Sequence, residues 1–195
     1  MKIGVDLDGV VYDTERAFRY YADFYSCFEL NKERKFPQFT SQEKAFDWTE
    51  EETKEFFDRY WDEILTSSEM IGAREILKLL EKEGHKLYII TSRGINDNQA
   101  EIDFTIPKLN EMGVNFEEIC FAQRSKIEKC QELGVDVMID DRYENVYPFV
   151  GSGIVALHFR EAKGMRCAAK DIIEVDSWMN IYREIKKLQA KKKNA

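Results

Sequence analysis

The fold is indicated first by Lys2-Ile3-Gly4-Val5-Asp6-Leu7-Asp8-Gly9, near the start of a chain of 195 residues. The apolar run 2–5 predicts a short strand, and Asp6 and Asp8 follow it directly. Two carboxylates at a strand end are costly unless positive charge lies between them, and a divalent cation would supply it. Oxygen ligands of this kind suit magnesium. Taken alone, the pair could also be a surface turn, in which Gly9 permits a sharp bend.

Further apolar runs alternate with helical patterns along the chain. The clearest run is Lys86–Ile90, and weaker candidate strands are Ile119–Ala122, Val135–Ile139 and Ile154–Leu157. The helices between the strands are predicted to end at three glycines, Gly84, Gly113 and Gly134, and to be capped at Thr105 and Ser125 in two cases. This alternation predicts a parallel sheet with helices on both faces.

Residues 14–70 interrupt the alternation with helical patterns and no convincing strand. Four aromatic residues recur there at helical spacing: Phe18, Tyr21, Tyr25 and Phe28. After a polar connector, Thr49 and Glu52 form a capping box for a second helix. We therefore expect an α/β core at 1–13 and 71–195, with a small helical cap at 14–70. Such an insertion would cover the carboxyl edge of the sheet, where ligands of these folds bind.

Composition and charge bear on which partners the protein can bind and on where in the cell it is expected. The net charge of −8 argues against an extended nucleic-acid surface. The four cysteines are scattered without a CxxC pair, which favours reduced thiols: Cys27, Cys120, Cys130 and Cys167. No apolar stretch is long enough to span a bilayer, and the N-terminus is no signal peptide, so we expect a cytoplasmic protein. The lysine-rich tail is expected to be the solvated end of a last helix.

Three further motifs follow later strands. Thr91-Ser92-Arg93 comes after Lys86–Ile90, where a hydroxyl and backbone N–H groups could hold phosphate oxygens or simply form a polar turn. Lys126 opens a helix, an unfavourable position for a cation unless an anion lies nearby, although it could be a surface residue. Asp140-Asp141 ends a strand, where a cation would relieve the repulsion and a helix cap is the competing explanation.

In this order, the four motifs resemble those of the haloacid dehalogenase (HAD) superfamily, over a span from Asp6 to Asp141. The helical insertion between the first two motifs, the Thr91-Ser92-Arg93 form of the second and the sequence 139–145 (IDDRYEN) resemble the 5'(3')-deoxyribonucleotidases and their bacterial relatives most. The resemblance implies a Rossmann-like three-layer sandwich, Mg²⁺ as cofactor and hydrolysis of a small phosphomonoester, such as a nucleoside monophosphate, through an aspartyl-phosphate.

The resemblance also implies roles for individual residues. Asp6 would be the nucleophile, and the side chain of Asp8 the general acid and then the general base. Phosphate would be held by Thr91, Ser92 and Lys126. The metal ligands would be Asp6, the backbone carbonyl of Asp8, Asp141 and, directly or through water, Asp140. Asn145 would orient the acidic loop.

Contacts with the leaving group are open at this stage. Phe18, Phe46 and Trp48 are candidates that could stack a nucleobase or pack the core of the cap. Arg93 and Arg142 could contact an anion or be ordinary surface arginines.

Three other functions compete with the nucleotidase. A phospho-acceptor receiver uses similar residues, but its acid pair follows strand one and its lysine comes last, whereas here Lys126 precedes Asp140-Asp141. A phosphosugar phosphatase would share the chemistry and differ in the leaving group. The third is a non-catalytic binding protein on the fold of a former enzyme, although all the expected chemical groups are present; metal-dependent turnover of p-nitrophenyl phosphate would separate it from an enzyme.

Overall fold

The structure is a computed structural model that describes residues 1–36, 42–160 and 169–193. It divides the chain into two compact units, one of residues 1–12 with 69–195 and one of residues 13–68. Cys167 and part of the predicted polar connector, residues 37–41, lie outside the described residues. Across the described part, no helix is both long and apolar enough for a membrane crossing.

The larger unit is built on a six-stranded parallel sheet with the strand order β3-β2-β1-β4-β5-β6. The strands are β1 (Lys2–Val5), β2 (Lys86–Ile90), β3 (Glu118–Cys120), β4 (Val137–Asp140), β5 (Val155–Phe159) and β6 (Ile172–Val175). The helices of the chain are α1 (Thr14–Phe24), α2 (Gln42–Phe46), α3 (Glu50–Leu65), α4 (Ala73–Lys82), α5 (Gln99–Met112), α6 (Lys126–Leu133), α7 (Tyr143–Val146) and α8 (Trp178–Lys193).

Side chains that alternate along each strand build a core on both faces of the sheet. On one face, Ile3 and Val5 pack in a cluster with Leu77 of α4 and Ile181 of α8. On the other, Met138 packs with residues of α6 and of the 3₁₀ turn at 147–149. The predicted α/β sandwich, with helices on both faces of a central parallel sheet, is thereby confirmed.

Gly4 lies on the second face of β1, where the two neighbouring strands leave no space. A Cβ atom there would lie 2.8 Å from Sδ of Met138 and 3.0 Å from Cδ1 of Ile90. The glycine therefore leaves room over β1 for the side chains of Met138 and Ile90, which come from β4 and β2, the two strands that carry the site residues described below.

Several boundaries differ from those expected. The prediction that Thr105 caps a helix was wrong, because Asn98 caps α5 about two turns earlier and Pro107 lies inside it. The hydroxyl of Thr105 donates to the carbonyl of Glu101 instead. Ser125 precedes α6 as predicted, but its side chain makes no capping hydrogen bond. Strand β6 was not predicted, because its short sequence follows residues without a helical pattern.

The unit of residues 13–68 is helical, and its described residues form no strand. The predicted capping box of α3 is confirmed, since Thr49 accepts from the N–H of Glu52 and the Glu52 carboxylate accepts from that of Thr49. A π-helical turn, Tyr25–Glu29, extends α1 and rotates the chain, so Phe28 is 80% exposed instead of sharing the buried face. The core of the unit contains Ala22, Tyr25, Phe56 and Ile64.

His85, in the turn that leads into β2, is buried and gives a test of the packing at the amino edge of the sheet. Neither ring nitrogen has a hydrogen-bond partner within the described parts of the chain, and Oε2 of Glu83 is 3.9 Å from Nε2. Burial lowers the pKa of His85, the positive charges of the N-terminus and Lys186 lower it further, and Glu83 and Asp136 oppose them. His85 is therefore neutral in the folded protein at neutral pH.

We expect His85→Phe to flatten the pH dependence of the free energy of unfolding. The unfolded chain takes up a proton at His85 below about pH 6.5, whereas the folded chain resists it, so the wild type loses stability as the pH falls through this range. Urea unfolding at pH 7.5 and pH 5.5 measures the difference. An equal loss between these pH values in the variant and the wild type would contradict a buried, neutral His85.

Candidate active site

The carboxyl ends of the central strands bring the acidic residues together. Val5 of β1 pairs with Ile139 of β4, so Asp6 and Asp140 come next on neighbouring strands. The backbone N–H of Asp6 donates to the carbonyl of Ile139 at 3.0 Å, which continues the pairing into the site. The sheet order reverses on either side of β1, and this position is the usual binding crevice of an open parallel sheet.

Lys126 lies between the two carboxylates. Its Nζ is 2.7 Å from Oδ2 of Asp6 and 2.6 Å from Oδ2 of Asp140. All three side chains are buried, with at most 6% of their surface exposed. The prediction that Lys126 is placed near an anion therefore has a structural basis, because the first turn of α6 directs its ammonium group into the acidic cluster.

Protonation of the cluster reflects burial and a shortage of positive charge. The pKa of Asp6 is raised to about 7, chiefly by burial; the charge of Lys126 opposes this rise, and the charges of Asp140 and Asp8 add to it. Burial opposes the charged form of Lys126, but Asp140 and Asp6 outweigh this and raise its pKa. One ammonium group shared by two buried carboxylates stays protonated and leaves negative charge uncompensated.

A divalent cation fits the remaining carboxylates. Asp6, Asp140 and Asp141 each offer an oxygen atom, and these three atoms lie within 4.8 Å of one another. With Asp8, four carboxyl groups meet the two cationic groups of Lys126 and Arg93, so the cluster holds more acidic groups than cationic ones. All the donors are hard oxygen ligands, which Mg²⁺ prefers.

Gly9 leaves the space that Asp141 occupies. A Cβ atom at position 9 would lie 2.1 Å from Oδ2 of Asp141, and the backbone of Gly9 is left-handed with φ at +70°. A side chain at this position would therefore displace the carboxylate from the cluster.

Two polar side chains contact Asp140 and Asp141, which form the acidic loop at the end of β4. The amide nitrogen of Asn145 donates to both oxygens of Asp140, at 3.0 and 3.2 Å. Nε2 of His158, at the end of β5, lies 3.1 Å from the carbonyl oxygen of Asp141, and its Nδ1 lies 3.3 Å from Oε1 of Glu174. The role of Asn145 was predicted, whereas His158 was missed, since a lone histidine on a strand carries no motif.

The carboxylate of Asp8 is held by Arg93, which had been considered as a substrate contact. Nε of Arg93 donates to one oxygen at 3.0 Å and Nη2 to the other at 2.7 Å. Burial opposes the charge of Arg93, but Asp8 outweighs this and raises the pKa of the guanidinium group. Arg93 is therefore a buried partner of Asp8, whereas Arg142, the other arginine considered, is exposed.

Thr91 and Ser92 follow β2 at the same edge of the sheet. Thr91 is buried, its N–H donates to the carbonyl of Cys120, and its Oγ1 accepts from the N–H of Arg93 at 3.2 Å. Ser92 is exposed, and its hydroxyl donates to the carbonyl of Gln123 at 3.0 Å. These bonds fix the turn in which the predicted phosphate-binding groups lie.

The three aromatic candidates for the leaving group pack within the unit of residues 13–68. The ring of Phe18 lies edge-on to that of Phe56, with 5.1 Å between centroids. The ring of Phe46 is stacked on that of Trp48 at 6.3 Å, and Nε1 of Trp48 donates to Oγ of Ser26 at 2.9 Å. These contacts give all three a packing role inside this unit.

Comparison with known proteins assigns a family. A family model described as 5' nucleotidase, deoxy (pyrimidine), cytosolic type C protein (NT5C) matches residues 1–193. A protein of Chlorobaculum tepidum, provisionally named 5'(3')-deoxyribonucleotidase, is 30% identical over 127 residues, which are 64% of this chain. The matched segment spans 59% of the length of that relative.

Solved structures of low sequence identity share the fold. A hydrolase of the haloacid dehalogenase-like family from Streptococcus pneumoniae superimposes with a TM-score of 0.67 at 16% identity, covering 94% of this chain and 97% of its own. A protein described as a predicted phosphatase from Clostridium acetobutylicum gives 0.66 at 17% identity, covering 95% and 98%. At these identities, the likeness concerns the fold alone.

We expect Mg²⁺ to raise the thermal stability of the wild type and Gly9→Ala to abolish this effect, because the new methyl group collides with the Asp141 carboxylate. Gly84→Ala is the matched control, since Gly84 is also left-handed, with φ at +81°, but a Cβ atom there meets nothing within 4 Å. Both variants pay the backbone strain of about 1 kcal/mol, and only Gly84→Ala should keep the wild-type response to Mg²⁺. Thermal unfolding with and without Mg²⁺ gives the measurement, and an unchanged response in Gly9→Ala would contradict a metal site that includes Asp141.

Proposed function

Because the chain belongs to the family described as 5' nucleotidase, deoxy (pyrimidine), cytosolic type C, we propose that it is a Mg²⁺-dependent phosphomonoester hydrolase with Asp6 as the nucleophile. The observation that carries this proposal is the buried contact of Asp6 with Lys126, in a cluster with Asp140 and Asp141. The family and the name of the Chlorobaculum tepidum relative favour a nucleoside monophosphate as the substrate.

In the proposed first step, an oxygen of Asp6 attacks phosphorus in line with the leaving oxygen. The attacking carboxylate and the phosphoryl group are both anionic, so their repulsion must be offset before they can approach. Lys126 provides one positive charge in contact with Asp6, in a buried site where electrostatic interactions are stronger than in water. Thr91 and Ser92 lie at the same strand edge and would hold phosphoryl oxygens.

Mg²⁺ would be held by Asp6, by the backbone carbonyl of Asp8, by Asp141 and, directly or through water, by Asp140. When bound, the ion would neutralise charge on the phosphoryl oxygens. The excess of the four carboxyl groups over the cationic groups of Lys126 and Arg93 supports this assignment. Asn145 and His158 would keep the acidic loop in place through their bonds to Asp140 and Asp141.

Asp8 would transfer protons in both steps. In the first, its carboxyl group gives a proton to the leaving oxygen as the bond to phosphorus breaks, and Asp6 becomes an aspartyl-phosphate. In the second, the Asp8 carboxylate takes a proton from the water molecule that attacks phosphorus. This attack releases inorganic phosphate and restores the Asp6 carboxylate.

Phosphate release from a panel of esters tests the function. We expect Mg²⁺-dependent turnover, abolished by chelator, with deoxynucleoside monophosphates as better substrates than sugar phosphates. Asp6→Asn should lower kcat by about three orders of magnitude or more, because it removes the nucleophile. Faster hydrolysis of sugar phosphates would identify a phosphosugar phosphatase, and near-normal activity of Asp6→Asn would exclude Asp6 as the nucleophile.

The role of Asp8 predicts a dependence on the leaving group. Asp8→Asn should harm hydrolysis of an alkyl phosphate, such as a nucleoside monophosphate, by about 10²-fold or more, and that of p-nitrophenyl phosphate much less. p-Nitrophenolate is a stable anion that departs with little help from an acid. Steady-state kinetics with both esters gives the comparison, and equal losses for the two would refute the acid role.

A further inference from the structure

We infer that Arg93 is a positioning residue that fixes the carboxyl group of Asp8 for proton transfer to the leaving oxygen. The inference rests on the proposed function of the site, within which it assigns Arg93 to the proton-transfer step instead of to binding the substrate phosphate.

The guanidinium group of Arg93 holds the carboxylate of Asp8 through two hydrogen bonds, which a point charge such as an ammonium group could not orient in the same way. Its Nε and Nη2 donate to the two different oxygens of Asp8, at 3.0 and 2.7 Å. Such a planar fork fixes both the position and the plane of a carboxylate. Asp8 has 33% of its side chain exposed, and the fork restricts the rotamers that its carboxyl group can adopt.

Arg93 is in turn held by its surroundings. Its Nη1 donates to Oγ1 of Thr105, a fully buried residue of α5, at 2.9 Å. Its guanidinium group lies 5.3 Å from the centre of the Tyr12 ring. The main chain is fixed as well, because the N–H of Ala122 donates to the carbonyl of Arg93 at 2.7 Å. These contacts hold the Arg93 side chain in place, and Arg93 in turn holds the carboxyl group of Asp8, which lies beyond the end of β1.

The fork is compatible with proton transfer by the group it holds. A carboxylate has about four lone-pair sites, and the fork uses one on each oxygen. In the acid form, one of the two oxygens carries a proton. That proton passes to the leaving oxygen as the bond to phosphorus breaks, and the resulting carboxylate, still held by Arg93, later accepts a proton from water. The proton count closes within one cycle.

The burial of Arg93 argues against direct contact with a phosphate group. Only 2% of the residue is exposed, and three of its N–H groups already donate to Asp8 and Thr105. Loss of a phosphate contact would weaken the binding of every phosphomonoester alike, because all carry the same phosphate group. Loss of Asp8 positioning would affect esters according to how strongly their leaving oxygen needs a proton.

The test compares Arg93→Ala, Arg93→Lys and Thr105→Val with the wild type on two substrates, deoxynucleoside monophosphate and p-nitrophenyl phosphate. Arg93→Ala should lose about 10²-fold in kcat for the nucleotide and less than about 10-fold for the aryl ester, with KM little changed. Arg93→Lys keeps a charge without the fork and should be intermediate. Thr105→Val keeps the side-chain shape and removes the acceptor of Nη1, so it should show a smaller loss with the same preference.

Arg183→Ala is the control, because Arg183 is an exposed arginine on α8 that donates to Asn180. It should leave both reactions unchanged. Thermal unfolding of each variant separates loss of fold from loss of function, and Thr105→Val and Arg93→Lys keep the test decisive if Arg93→Ala does not fold.

The outcomes separate the alternatives. Equal kcat losses for both esters in folded variants would overturn the inference in favour of a structural role. Equal rises in KM that Arg93→Lys restores would overturn it in favour of phosphate binding. Absence of hydrolysis by the wild type on either ester would instead refute the proposed function on which the inference rests.

Discussion

Lys126 places its ammonium group between the carboxylates of Asp6 and Asp140, and the whole site depends on this shared ion pair. Breaking a buried pair by removing one partner typically costs about 3–5 kcal/mol, because a charge is left without compensation. One lysine cannot neutralise both carboxylates together with Asp141. The site therefore holds an excess of negative charge that a divalent cation would cancel, and the same buried charges would allow a carboxylate to approach a phosphoryl group.

The sheet topology is what makes this arrangement possible. Strand β1 is central, and β4 lies on one side of it and β2 on the other. Three segments thus end at one edge, at Asp6, Thr91 and Asp140, which are 85 and 49 positions apart in sequence. Gly4 leaves room for the side chains of Met138 and Ile90 over β1, and Gly9 leaves room for the carboxylate of Asp141. The chemistry is carried by the ends of the strands and the fold by their interiors.

The sequence was sufficient for a parallel sheet with five of its six strands, for the capping box at Thr49 and for the deoxyribonucleotidase family, all of which are confirmed. These follow from strong local signals, such as apolar runs and motifs in a fixed order. The cap at Thr105 was wrong because Asn98 competes for the same helix and pattern alone does not rank them. The contact of Arg93 with Asp8 and that of His158 with Asp141 could not be predicted. The paired residues are 85 and 17 positions apart in sequence, and no local pattern indicates that such distant residues meet.

Diffraction from crystals containing Mn²⁺ tests most directly whether a single divalent cation binds at the junction of β1 and β4. Mn²⁺ accepts the same oxygen ligands as Mg²⁺ and scatters anomalously. The account predicts one anomalous peak per chain, within bonding distance of the carboxylates of Asp6 and Asp141 and of the backbone carbonyl of Asp8. A peak only at other residues, or no peak at a saturating Mn²⁺ concentration, would contradict it.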